Sequence, residues 1–479
     1  MGIQFSDGGK DLFLPLMRWK LLGLFLMLVV GCVSSVRNSM AELHSVEIHL
    51  KHVSIDEWQA DYRLSSPTKQ IVFWGDISSF RGKVFRFVDP AFELSQMNDK
   101  EIVVRKDGAA FRNFSLKFNP RVVSKDESYP FMLAFTDGSV AIHLGYLGVF
   151  SASAQSQNVV YTFETLAEEN LLVNGVPSRS WSPENEFDGV YAYFGSIRPK
   201  IGEKLKILFD PQTPAWLSKL SEKALPEIFG FFESEFQQRP NIFFILNASD
   251  MRNLETSNLR ASAYPGWILT RISGASWKEP SEEFKSRFLS LAAHEGAHRF
   301  QGLPVGDFLQ RAWLMEGAAE FFKDQALSKL GYQSHRQLMA ELSSAANKCV
   351  NILEQNRMTL QSPSEGEGYY GTYYCGHVLH YATHIASMSR LPGGMFGLWR
   401  KLLQHAAGRN GSIDENDYFK ILRDLSVTPE YIAVAQKFIS TQHSDPRGAI
   451  DEVLRSGGVK FKLRRPKGKI ENGPQFQFL

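Results

Sequence analysis

Val46, Ile48 and Leu50 alternate with Glu47, His49 and Lys51, the period of two that buries one face of a strand and wets the other. Short β-rich runs follow at Tyr62–Leu64, Ile71–Trp74 and Val84–Phe87. Turn signals separate them at Ser65-Ser66-Pro67, Asp107-Gly108, Asp137-Gly138 and Asn174-Gly175. This spacing predicts an all-β sandwich over residues 32–204. After Gly202 the period changes. Leu205–Phe209, Asn241–Leu246 and Gly266–Thr270 read as buried strands, and Trp216–Phe236 repeats with the period of a helix. Ser281–Gln301 is a predicted helix, with Ser281 as N-cap, Glu282 and Glu283 in the first turn and Gly302-Leu303-Pro304 as its stop. A second helix runs from about Asp307, its cap, to Leu330, with Gly331 behind it. The remainder reads as helices at His335–Asn356, Gly376–Arg390, Met395–Ala407, Asn416–Leu425, Pro429–Thr441 and Arg447–Arg455. The basic tail from Val459 reads as a short strand and a solvated end.

The amino terminus has another character. Arg18 and Lys20 precede the ten-residue apolar run Leu21–Val30, half the ~20 residues a spanning helix needs, which fits a secretory signal. Val29-Val30-Gly31-Cys32 resembles the bacterial lipobox, which implies residues 1–31 as a lipoprotein signal peptide and Cys32 as the site of lipid attachment to a membrane. The start is Met1 or Met17, and Met17 opens the more compact signal. Val33, where an Asp would resemble an inner-membrane retention signal, points to the periplasmic side of the outer membrane.

Composition narrows the classes. With 43% hydrophobic and 22% charged residues in 479, the chain is not disordered, collagenous or a coiled coil in the main. Lys+Arg 53 against Asp+Glu 51 gives a formal charge of +2 and no reason to expect a nucleic acid partner. Cys349 and Cys375 would lie in an oxidising compartment, as one bridge or as two free thiols.

The candidate chemistry is His294-Glu295-Gly296-Ala297-His298, an H-E-x-x-H motif on a helix whose apolar stripe is Phe284, Phe288 and Leu291. Residues at i and i+4 share a helix face, so two imidazoles can converge on one cation. Glu295 can reach water bound to a zinc ion without ligating the metal, and zinc lowers the pKa of that water to ~7. A catalytic zinc needs a third protein ligand. The next helix carries Trp313-Leu314-Met315-Glu316-Gly317-Ala318-Ala319-Glu320-Phe321-Phe322, and antiparallel packing would set Glu316 beside both histidines. Glu320, one turn on, suits the partner that accepts a ligand histidine's other N–H; its bland reading is a solvated helix carboxylate.

H-E-x-x-H followed by W-L-x-E-G-x-A-E-x-F resembles the gluzincin metallopeptidases of the aminopeptidase N-like and glycyl-aminopeptidase-like groups. The resemblance implies one zinc held by His294, His298 and Glu316, Glu295 as general base, and a peptide or protein substrate. It also implies a tyrosine that stabilises the oxyanion. Tyr373 takes that place in Tyr373-Tyr374-Cys375-Gly376, with Tyr370 and Tyr374 as alternatives. By resemblance the fold is multidomain α+β: the N-terminal β-sandwich, a thermolysin-like catalytic domain over 205–332, and a helical C-terminal part over 333–479 that completes the active site.

Two departures stand out. The spacing to Glu316 is one residue shorter than in aminopeptidase N-like enzymes. Where those exopeptidases hold a substrate's free amine with a glutamate, Arg260–Trp267 contains no acidic residue, so aminopeptidase activity does not carry over. The stretch could still pair with an extended substrate as an edge strand. His377, His380 and His384 lack a carboxylate at matching spacing and read as a polar stripe facing the cleft or solvent rather than a second metal site. The expectation is a zinc metallopeptidase of the bacterial envelope, exopeptidase or endopeptidase. The alternative is a non-catalytic envelope binding or scaffold protein on the same fold.

Overall fold

The computed structural model describes residues 44–74, 80–98, 100–119, 131–150, 157–183, 190–248, 251–252, 257–264, 266–302, 308–364, 366–408, 413–464 and 475–479. The signal segment, Cys32 and the Asp307 cap lie outside them. Among the described residues no helix is long and apolar enough to cross a membrane.

The amino-terminal region is β-rich. His44–Ser54 pairs antiparallel with Glu57–Thr68 and parallel with Gln157–Glu164 at the heart of a six-stranded sheet. A four-stranded sheet (Val149–Phe150, Gln70–Phe73, Lys100–Arg105, Phe92–Met97) and a five-stranded one (Val176–Pro177, Asn170–Val173, Tyr191–Gly195, Val140–His143, Met132–Ala134) complete the region. One apolar core collects side chains from all three, including Ile48, Trp58, Phe73, Val103, Ile142 and Phe194. Asn174-Gly175 turns as expected: both residues have positive φ, 50° and 71°, the conformation a two-residue hairpin requires. The run Val84–Phe87 departs from expectation. Phe80–Val84 is a helical turn, and only Arg86–Phe87 is strand. The reason is a buried ion pair. Arg81 reaches Glu101 at 2.6 Å and the Trp74 carbonyl at 2.5 Å, and its guanidinium lies over the Phe73 ring. These contacts fix a turn that local β preference cannot override.

Next comes a mixed sheet in the order Lys200–Ile201, Leu205–Phe209, Ile242–Ala248, Trp267–Ser273, Asn258–Tyr264. The middle three strands are parallel, and Asn258–Tyr264 is an antiparallel edge. Both faces are covered, which is why Asn241–Leu246 reads as a continuous apolar run rather than an alternation. Ile242, Phe244, Leu246 and Ile268 face the helices. Phe243, Ile245, Trp267 and Leu269 pack against Leu133, Tyr191 and Tyr193 of the amino-terminal region.

The helices are α1 (Ala215–Phe236), α2 (Glu282–Gln301), α3 (Phe308–Lys329), α4 (His335–Asn356), α5 (Tyr370–Met388), α6 (Met395–Ala407), α7 (Glu415–Asp424), α8 (Pro429–Ser440) and α9 (Pro446–Ser456). Cys349 of α4 and Cys375 of α5 form a disulfide. The tail is less solvated than its charge implies. Phe461–Arg464 pairs with Gln475–Phe478, and Phe476 and Phe478 are buried. Asn347 of α4 bonds the Phe476 amide at 3.0 Å, and Ser343 the Phe478 amide at 3.1 Å.

Candidate metal centre

Helix α2 begins where expected. The Ser281 side chain accepts from the Phe284 amide at 3.1 Å, and Glu282 and Glu283 occupy the first turn. The helix lies along the edge strand, with Arg287 bonded to Ser257. It is also pressed against α1. A Cβ at Gly296 would lie 2.6 Å from the Phe229 ring, so the middle of the motif has room only for glycine.

The crossing of α3 and α5 is closer still. A Cβ at Gly317 would stand 2.4 Å from the Gly376 Cα, and one at Gly376 would stand 2.5 Å from the Trp313 carbonyl oxygen. Backbone therefore meets backbone one residue after Glu316 and three after Tyr373. That contact brings the side chains of the two helices to one site.

Three donor atoms converge there. His294 Nε2 and His298 Nε2 are each 3.2 Å from Glu316 Oε2, and 3.1 Å from each other. Donors of a tetrahedral zinc, at ~2.0–2.1 Å from the ion, stand ~3.3 Å apart, so this triad has nearly the spacing such an ion requires. His294 and Glu316 are buried, and His298 is partly open. The chemistry of the set also asks for positive charge. Burial alone would lower the His294 pKa, but Glu316 and Glu320 outweigh it and push it up to about 10. Burial alone would raise the Glu316 carboxyl, but His298 and His294 hold it well below the carboxylate range. One carboxylate oxygen thus meets both Nε2 atoms, and a cation between them satisfies all three donors.

Each imidazole is also held from behind. His294 Nδ1 lies 2.8 Å from Glu320 Oε1. The Glu320 side chain is half-buried between His294 and Lys323, both within 2.8 Å, which overturns its reading as a solvated carboxylate. His298 Nδ1 lies 2.7 Å from Gln301 Oε1, and the Gln301 amide donates to the Met315 carbonyl at 2.9 Å. Gln301 escaped the sequence reading. Its signal was its position, three residues after His298 on the same helix.

Glu295 is buried beside the two histidines and close to the Ala263 backbone of the edge strand, and burial raises its pKa. The Tyr373 ring stacks on the His294 ring, centroids 5.8 Å apart and 15° from parallel. Burial and the Glu316 carboxylate beside its hydroxyl keep that phenol protonated. Of the alternatives, Tyr370 is 56% exposed, and Tyr374 turns away to Lys348, whose ammonium lies 4.6 Å from its ring centre. The edge strand Asn258–Tyr264 carries no carboxylate.

His377, His380 and His384 do not face solvent as a stripe. His377 is 3.2 Å from Asp324. His380 lies 3.2 Å from the Trp313 carbonyl and stacks on the Trp313 ring. His384 accepts from the Met395 amide. Among the described residues, His294, His298 and Glu316 are the one group with metal-ligand geometry.

No protein-family model matches the chain, and no curated protein matches it in sequence. Solved structures do. An aminopeptidase N family protein from Idiomarina loihiensis superposes with a TM-score of 0.64 at 12% identity, over 88% of this chain and 80% of that one. Leukotriene A4 hydrolase from Saccharomyces cerevisiae gives 0.51 at 11% identity, over 85% and 68%. A variant of the M1 zinc metallopeptidase from Deinococcus radiodurans, bound to a Tyr-Ser-Ala substrate, gives 0.50 at 12% identity, over 84% and 94%. Identities this low speak to architecture, and the architecture they establish for this chain is the gluzincin aminopeptidase-like fold.

Proposed function

We propose that the protein is a zinc-dependent metallopeptidase that hydrolyses peptide bonds in the bacterial envelope, tethered by a lipid on Cys32. The observation that carries this reading is the convergence of His294, His298 and Glu316 within 3.2 Å of one another, with Glu295 and Tyr373 beside them. On this reading residues 205–332 are the thermolysin-like catalytic unit, residues 32–204 the β-sandwich before it and residues 333–479 the helical part that completes the site. A zinc ion held by the triad would supply Lewis acidity and an acidified water. The chain's own residues do the rest. Glu295, raised by burial, takes a proton from the attacking water and returns it to the leaving amine. The Tyr373 hydroxyl donates to the developing oxyanion of the scissile carbonyl. Glu320 and Gln301 keep the imidazoles in the tautomer that turns Nε2 to the site. The edge strand Asn258–Tyr264 can hold an extended peptide by its backbone. The substrate bound by the Deinococcus radiodurans enzyme supports a peptide here too.

The test is metal content by mass spectrometry with peptide-library turnover. About one zinc per chain is expected, lost in His294→Ala and in Glu316→Ala. Glu295→Gln should keep its zinc and lose turnover by ~10²–10⁴-fold. Loss of zinc in that variant would contradict the role given to Glu295. The reading as a binding or scaffold protein rests on the missing amine anchor in Asn258–Tyr264. A well-folded chain that refuses added zinc would establish it instead.

A further inference from the structure

Behind the triad runs a buried chain of charges that the proposed chemistry leaves unused. Glu320 spends one carboxylate oxygen on His294 Nδ1, at 2.8 Å. Its other oxygen is 2.6 Å from the Lys323 ammonium, one turn along α3. Lys323 is only 7% exposed, on a helix otherwise packed with Phe321, Phe322 and Ala326. Its ammonium is also 3.5 Å from Asp324 Oδ1, and Asp324 Oδ2 is 3.2 Å from His377 Nε2 on α5.

Burying an ammonium is costly unless its geometry repays it. A lysine put there only to fill the core would be better replaced by an apolar side chain. What the ammonium does is hold Glu320. A carboxylate contacting His294 alone could rotate about its side chain, and the imidazole would rotate with it. The lysine pins the second oxygen, and the Asp324 carboxylate, 3.5 Å from the ammonium, balances its charge. We propose that Lys323, its charge balanced by Asp324, is a positioning residue of the metal site: it fixes Glu320, and Glu320 fixes His294 with its Nε2 aimed at the ion. The inference rests on the zinc reading above.

The test is the zinc dissociation constant of the purified full chain, measured by competition with a chromophoric chelator. Partners of ligand histidines typically change metal affinity 10- to 100-fold, so Lys323→Met should weaken zinc by about that factor, as should Glu320→Gln. Because the lysine acts through the carboxylate, the double variant should bind zinc no more weakly than Glu320→Gln alone. A residue that merely supports the fold would lower the melting temperature without this coupling. Wild-type zinc affinity in Lys323→Met, or losses that add in the double variant, would overturn the proposal. If Lys323→Met does not fold, Asp324→Asn removes the charge that balances the lysine without removing the lysine. A several-fold weaker affinity is then expected, and unchanged affinity overturns the proposal. A wild-type chain that binds no zinc fails differently, since it removes the zinc reading itself.

Discussion

Tyr373 joins two constraints in a single side chain. Its ring is stacked on the His294 imidazole, and its hydroxyl is kept protonated by burial and by the Glu316 carboxylate. A phenol in that state donates and does not ligate. In the proposed peptidase its value would lie in the transition state, where charge collects on the carbonyl oxygen. Tyr373→Phe should therefore lower kcat by ~10²–10³-fold with little change in KM or in bound zinc. Steady-state kinetics and metal analysis check this, and an equal change in KM alone would make Tyr373 a substrate contact. At this scale much was legible. His294, Glu295 and His298 are read from spacing alone, because helix geometry makes i and i+4 neighbours whatever surrounds them. Gln301, Lys323 and Asp324 were not. Their roles depend on which way a neighbouring helix turns, and polar residues on a helix carry no mark that they are buried.

The site is assembled by elements whose contacts are tighter than their sequences announce. Gly317 and Gly376 let α3 and α5 touch backbone to backbone, and every side chain shared between those helices depends on that contact. Gly376→Ala puts a methyl group 2.5 Å from the Trp313 carbonyl and 2.8 Å from the Gly317 Cα. The helices must part, at a cost of ~3 kcal/mol or more, and Tyr373 leaves Glu316. Thermal unfolding should shift down by several degrees, and turnover should be lost. Gly230→Ala in α1 is the control: its Cβ would meet nothing within 4 Å, so it should stabilise by ~0.5–1 kcal/mol. The Cys349–Cys375 bridge ties α5 to α4 two residues beyond Tyr373, with a sequence separation of 26. Loop-closure entropy for that separation gives a stabilisation of ~3.5 kcal/mol, which denaturant titration with and without reductant would measure. Helices with a clear period and a cap, such as α2 and α4, fell where the sequence placed them. The start of α5 did not. Gly376 reads as a boundary, yet the helix begins at Tyr370, because glycine there serves the crossing rather than a cap. The Phe80–Val84 turn and the tail hairpin were hidden for a related reason, since both are fixed by partners distant in sequence.

Across the whole molecule, burial takes histidines out of their ordinary range. Burial lowers His143 and His380 to about 3 and His384 to about 4. Each sits where a neutral ring suits its surroundings. His143 lies among Tyr146, Tyr191 and Tyr264 where the amino-terminal region meets the mixed sheet. His380 is enclosed by Trp313 and Tyr418, and His384 accepts the Met395 amide. In the unfolded chain the same groups titrate near ~6.5. Between that value and the folded ones, the unfolded state binds more protons, so stability rises with pH. It is complete above ~6.5 and is lost as pH falls toward 4. With three such groups the slope reaches about 4 kcal/mol per pH unit near pH 5, at ~1.4 kcal/mol for each proton. Urea unfolding at pH 7, 6 and 5 should show a falling midpoint, and His380→Gln should flatten that fall by about one proton whatever it does to stability at pH 7. The slope, and not the absolute stability, carries the test, because His294, His298 and Glu316, as the proposed zinc ligands, would steepen both proteins equally on acidification. An identical slope in wild type and variant would mean that His380 is not held neutral by its burial between α3, α5 and α7.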